Sequence, residues 1–182
     1  VGDQRDAPEL KLSSLNKGGF LRSIFYDRDD GLADLASAET LARELNLQEA
    51  LAESCVNQCK VRTARAEFDE VNFYMTELQN IGEALGAAEP TLFGMSHHAN
   101  SLIYLTQFDE ALPLAEKALA KAEELGNLQF QADVLTFALP ACHLHNGDVA
   151  SATAALERGM EIALRIGARG AEAFAAVFPG KL

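Results

Sequence analysis

Side chains with reactive chemistry are few in this sequence. Cysteine occurs as Cys55, Cys59 and Cys142, and histidine as His97, His98, His143 and His145. Cys55 and Cys59 stand four apart, which puts both on one face of a helix, and together with the histidines they supply the ligand types of a zinc site. Structural zinc sites are built on close pairs such as C-x-x-C, and none occurs. The two thiols are therefore expected on a helix packing face, acting as small apolar residues, and no metal or other cofactor is expected. His97-His98 and His143-x-His145 are the acid–base candidates, but within each pair the side chains point to different faces of a helix. Neither pair has a nucleophile or a carboxylate pair beside it. Asp29-Asp30 and Glu123-Glu124 read as solvated surface or helix caps. Gly18-Gly19 falls short of a phosphate-binding loop, and the sequence patterns of nucleotide-binding, serine-hydrolase and zinc-protease sites are missing. The expectation is a binding protein and not an enzyme.

The elements that position these residues follow from composition. The 182 residues carry 15 Lys and Arg against 27 Asp and Glu, a net charge of −12, and are 48% hydrophobic but only 7% aromatic, with no Trp. Much of the apolar total is Ala. A mixture of Ala, Leu, Glu and Arg favours helix, because these side chains lose little rotamer freedom there. So negative a chain is a poor binder of phosphate backbones, which excludes direct nucleic-acid contact. No apolar run approaches the roughly 18 residues of a membrane span, and Val1–Leu10 lacks the charged-then-apolar layout of a signal peptide. An odd number of cysteines points to a reducing compartment, the cytoplasm. An acidic, all-helical protein remains.

Internal repetition is the strongest pattern. Leu45-Asn46, Leu85-Gly86, Leu125-Gly126 and Ile166-Gly167 recur at steps of 40, 40 and 41 residues, and Gly and Asn are the residues that close helices in the left-handed conformation. Ahead of each closing pair runs an apolar stripe at the i, i+4, i+7, i+11, i+14 spacing of a buried helix face. The four stripes are Gly31, Leu35, Ala38, Ala42, Leu45; Val71, Met75, Leu78, Gly82, Leu85; Ala111, Ala115, Ala118, Ala122, Leu125; and Ala152, Leu156, Gly159, Ala163, Ile166. A second helical pattern precedes each, over 12–26, 49–65, 91–105 and 131–145. Short polar joints separate the members of each pair, with Asp109 and Asp148 expected as N-caps. The chain thus reads as four helix-turn-helix units, 10–46, 47–86, 87–126 and 127–167, in one domain, 1–182, with a final helix at 170–178 stopped by Pro179-Gly180.

These residues resemble tetratricopeptide repeats. The clearest unit runs from Thr91 to Gly126, with Ala99 in its first helix, T-Q-F-D-E-A-L at 106–112 in the turn, and Ala118 in its second helix. Small residues at such points let two helices approach closely. Cys59 and Val71 replace the small residues in the second unit, and Pro140 does so in the fourth, where it should kink the helix. The 40-residue step is longer than the basic repeat of 34 and is similar to the long repeats of bacterial signalling and transcription-regulating proteins. The resemblance implies an all-α fold, a right-handed α-α superhelix (solenoid).

It also implies a concave groove lined by the first helices. Carried across, the groove positions are Asn16, Lys17, Asn57, Lys60, Phe93, His97, Asn100, Tyr104, Phe137 and His145, with His98 and His143 nearer the packing side. Each Asn amide can both donate to and accept from a peptide backbone, and the two lysines suit a carboxylate. The expected function is recognition of a peptide or partner helix, inside a signalling or transcription-regulating system. The alternative is a small-molecule sensor in which Phe93, Tyr104, Phe137 and the histidines enclose a ligand.

Overall fold

A computed structural model describes residues 6–26 and 29–167. It divides into two compact units, Val1–Gly94 and Met95–Leu182. The expected terminal helix at 170–178 and the stop at Pro179-Gly180 lie outside the described residues.

The first unit is built from α1 (Asp6–Phe25), α2 (Asp29–Glu44), α3 (Gln48–Ala64), α4 (Phe68–Leu85) and the start of α5 (Ala88–Tyr104). α1 packs on α2, α2 on α3 and α3 on α4, and α1 also packs on α3. Gly31, Leu35, Ala38 and Ala42 of α2 and Val71, Met75, Leu78 and Gly82 of α4 are buried. The fifth member of each stripe is not: Leu45 and Leu85 remain 39% and 42% exposed. Both sit where the helix closes and the chain turns away, so no neighbouring helix covers them. Close packing is sharpest between α1 and α2. A Cβ added at Gly31 would collide with Ser23 Oγ and lie 2.5 Å from the Gly19 carbonyl oxygen.

The second unit contains the rest of α5, then α6 (Phe108–Glu124), α7 (Leu128–Asp133), a π-helical turn (Val134–Ala138), α8 (Leu139–His145) and α9 (Val149–Arg165). Its core is rich in alanine, with Ala99, Ala115, Ala118, Ala132, Ala138, Ala155 and Ala163 buried beside Leu135 and Ile162. Asp148 is the N-cap of α9, accepting from the Ser151 N–H at 3.0 Å. Asp109, expected as a cap, lies instead in the first turn of α6, whose N-cap is Gln107. There its charge faces the positive end of the helix dipole.

The expected closing residues take up the left-handed conformation, with φ of 55° at Asn46, 62° at Gly86, 64° at Gly126 and 66° at Gly167. Ala66, Thr106 and Gly147 close the first helices in the same way. Each such turn that the described chain completes carries the six-to-one backbone bond of a Schellman motif, as from the Gln107 N–H to the Leu102 carbonyl at 2.8 Å.

Pro140 was expected to kink the last leading helix, and what stands before it is the π-turn. Proline has no N–H for the carbonyl four residues back, and a π-turn is a one-residue surplus inside an α-helix. The repeat step of 41 rather than 40 is that surplus. α7 begins 40 residues after α5, whereas α9 begins 41 after α6, so the extra residue falls between Leu128 and Val149. Gly159 of α9 makes room for it: a Cβ there would lie 2.8 Å from Leu135 Cβ.

Candidate functional site

In the first unit, helices α1, α3 and α5 bring Phe20, Lys60 and Phe93 together. The Lys60 ammonium stands 5.9 Å from the centroid of each ring, within the reach of a cation–π contact. Lys60 is exposed while both rings are half-buried, so the charge stays wet and the stem is anchored. Lys17 is exposed one turn from Phe20, and Asn57 is half-buried one turn from Lys60. Asn16 corrects the expected groove. It is fully buried, and neither amide atom has a hydrogen-bond partner. The reason is its place on the buried stripe of α1, Leu12, Asn16, Gly19 and Ser23, whose spacing is that of a packing face. Asn16 therefore cannot hold a peptide at the surface.

The other side of this unit carries a charged network that sequence reasoning missed. Arg43 on α2 bonds Glu39 at 2.9 Å and also reaches Glu77 on α4. The Tyr74 hydroxyl donates to Glu39 at 3.2 Å, and the Arg62 guanidinium lies 5.5 Å from the Tyr74 ring. A cleft of about 840 Å³ opens there, lined by Arg43, Leu51, Asn72, Phe73, Thr76 and Asn80 among others. The one local signal was the i, i+4 pair Glu39 and Arg43. The partners on α4 are 34 and 35 residues away in sequence.

Cys55 and Cys59 lie in the packing face, 0% and 1% exposed, and Cys142 is buried as well. All three are free thiols. Burial pushes the Cys59 thiol up to about 12, and it raises Cys55, which Glu77 and Glu39 push further. Neutral buried thiols of this kind are poor nucleophiles and poor ligands. Among the described residues no group of three His, Cys, Asp or Glu side chains is placed to hold a metal ion.

In the second unit, Tyr104 on α5 and Phe137 on the π-turn come together, with ring centroids 5.7 Å apart and planes tilted by 34°. They are 54% and 38% exposed. His97 and Asn100, on α5, are half-buried. His145 stacks on Phe108 at 4.0 Å with an interplanar angle of 8°, so one face of its ring is occupied by the start of α6. His98 is half-buried, and burial lowers its pKa against the opposing pull of Glu110. Asp133, which sequence reasoning did not single out, is exposed one turn before Phe137 and accepts a hydrogen bond from Gln129 at 2.9 Å.

The comparisons bear out the fold class: an all-α solenoid of repeated helix pairs. Among solved structures the chain is similar to aspartyl phosphate phosphatase F from Bacillus subtilis, with a TM-score of 0.76 at 14% identity over 93% of this chain. It is likewise similar to BtubC from P. vanneervenii, with a TM-score of 0.75 at 18% identity over 96% of this chain. It spans 43% of the phosphatase and 68% of BtubC, and at these identities the likeness is one of fold. No protein-family model matches the chain and no curated protein matches it in sequence. Among the described residues no helix is long and apolar enough to cross a membrane.

Proposed function

We propose that this chain is a protein-interaction module, binding a peptide or partner helix through its leading helices rather than catalysing a reaction. The observation that carries this reading is the pair of side-chain clusters on those helices, Phe20–Lys60–Phe93 in one unit and Tyr104–Phe137 in the other. Aromatic rings at the surface, joined in the first unit by a cation, are the composition of recognition surfaces. Asn57 and Asn100, each half-buried, add amides that both donate and accept. The similarity to an aspartyl phosphate phosphatase and the long repeats support a regulatory, signal-transducing setting. Three unpaired, buried cysteines support a reducing compartment such as the cytoplasm. The test is selection of binders from a random-peptide display library on the whole chain, followed by calorimetry. Selected peptides should bind at least tenfold more weakly to the Asn57→Ala/Asn100→Ala variant. Equal affinity for the variant would refute the reading.

A further inference from the structure

The first unit holds a second cleft, of about 540 Å³, between the start of α1, the start of α3 and the end of α4. Its apolar wall is made by Leu12, which is buried, Leu47, which is half-buried, and Leu85, the 42% exposed residue at which α4 closes. Glu9, Glu49 and Glu53 line the same cleft, all three exposed, and no Lys or Arg does. Among the described residues none of these carboxylates has a hydrogen-bond or ion-pair partner. The described arginines of the unit are paired with carboxylates outside the cleft. Lys60 lies against Phe20 and Phe93, and neither Lys11 nor Lys17 is part of the cleft. The positive end of the α3 dipole, about half a charge, offsets only part of three negative ones. Glu49 lies in the first turn of α3, where that dipole favours an acid. Glu53 is a turn further on, where the effect has faded.

We propose that this cleft docks a short basic segment of a partner polypeptide. An aliphatic side chain of the segment lies against Leu12, Leu47 and Leu85, and Lys or Arg on either side of it meets the three carboxylates. Charge complementarity selects the occupant. The leucines alone would accept any apolar side chain, whereas unpaired carboxylates around them repel an acidic segment and attract a basic one. An apolar centre inside a charged rim is the anatomy of a docking interface. A small polycation would satisfy the carboxylates but leave the leucines uncovered. The cleft shares no residue with the ring clusters, so the proposal goes beyond the reading of the leading helices and stands or falls separately.

The experiment is a titration of the whole chain with the peptide acetyl-Lys-Lys-Leu-Lys-Lys amide, read at the methyl resonances of Leu12, Leu47 and Leu85. All three should shift saturably. The same peptide with glutamine in place of lysine, or with serine in place of leucine, should bind at least about tenfold more weakly, and so should spermine. Glu9→Gln/Glu53→Gln, at two exposed positions, should weaken binding about tenfold. Glu44→Gln on α2 and the Asn57→Ala/Asn100→Ala variant should each leave it unchanged. Unshifted methyls, equal binding of any control ligand, full affinity in Glu9→Gln/Glu53→Gln, or a loss in either control variant would each overturn the proposal.

Discussion

Thr106 closes α5 at φ 62°, and Ala66 closes α3 at φ 59°, a conformation in which a Cβ crowds the following carbonyl and costs roughly 1–2 kcal/mol. At the other closures Gly stands in four places and Asn in one. Replacing Thr106 by Gly should therefore stabilise the protein by about 1 kcal/mol, after the extra chain entropy of Gly is set against the relieved strain; denaturant unfolding reads this directly, and an unchanged or lower midpoint would contradict it. The cysteines make a second residue-scale case. Cys55, Cys59 and Cys142 are buried and their thiols all shifted upward by burial. None should react with a thiol reagent at pH 8 in the native protein, and all three should react once it is unfolded. Linkage fixes the sign at high pH. The unfolded chain loses these protons near pH 8.5, its ordinary thiol range, while the folded chain keeps them until about pH 12 at Cys59. Above about pH 8.5 the native state thus binds more protons than the unfolded one, and stability must fall as pH rises. Tyr74, pushed up to about 12 mainly by burial, adds to the same slope.

Among the elements, the π-turn is where the repeat's arithmetic and its packing meet. The surplus residue of the fourth unit is absorbed at Val134–Ala138, just before Pro140 and against Gly159. Deleting Thr136 together with Pro140→Ala should leave a continuous α-helix from Leu128, visible in Cα chemical shifts, with cooperative unfolding retained. Deleting Lys117 from α6, by contrast, rotates everything after it by about 100° and takes Ala118 and Ala122 out of the core, so unit folding should be lost. If both deletions behave alike, the repeat register is not what the π-turn absorbs. The helix pairs were legible in sequence because their signals are local: a small-residue stripe and a left-handed closure at a fixed step. The stripe over-reached at Leu45, Leu85 and Leu125, exposed at helix ends, and at Leu156 and Ile166, which are half-buried. The candidate site was less legible, since its contacts join residues far apart: Lys60 with Phe20 and Phe93, and Tyr104 with Phe137. Asn16 misled because its type suggests surface whereas its spacing from Leu12 and Gly19 is that of the core. The 41-residue step and Pro140 were both visible, and together they locate the π-turn.

At the scale of the whole molecule, charge is parted from the leading helices in the second unit but not in the first, where α1 and α3 carry Lys17, Arg22, Lys60 and Arg62 among other charges. α6 and α9 hold the Glu, Lys and Arg side chains of the second unit's repeats, whereas its leading helices hold Asp133 alone among residues 95–104 and 128–145. In the second unit, leading helices so nearly free of charge, with the rings of Tyr104 and Phe137 exposed on them, make a surface suited to contact rather than to solvation. The most direct test is chemical-shift mapping of the complex with a display-selected peptide. The account predicts perturbations clustered on α1, α3, α5 and the Leu128–His145 stretch, including Lys60, Tyr104 and Phe137. Perturbations confined to α2, α4, α6 and α9 would contradict it.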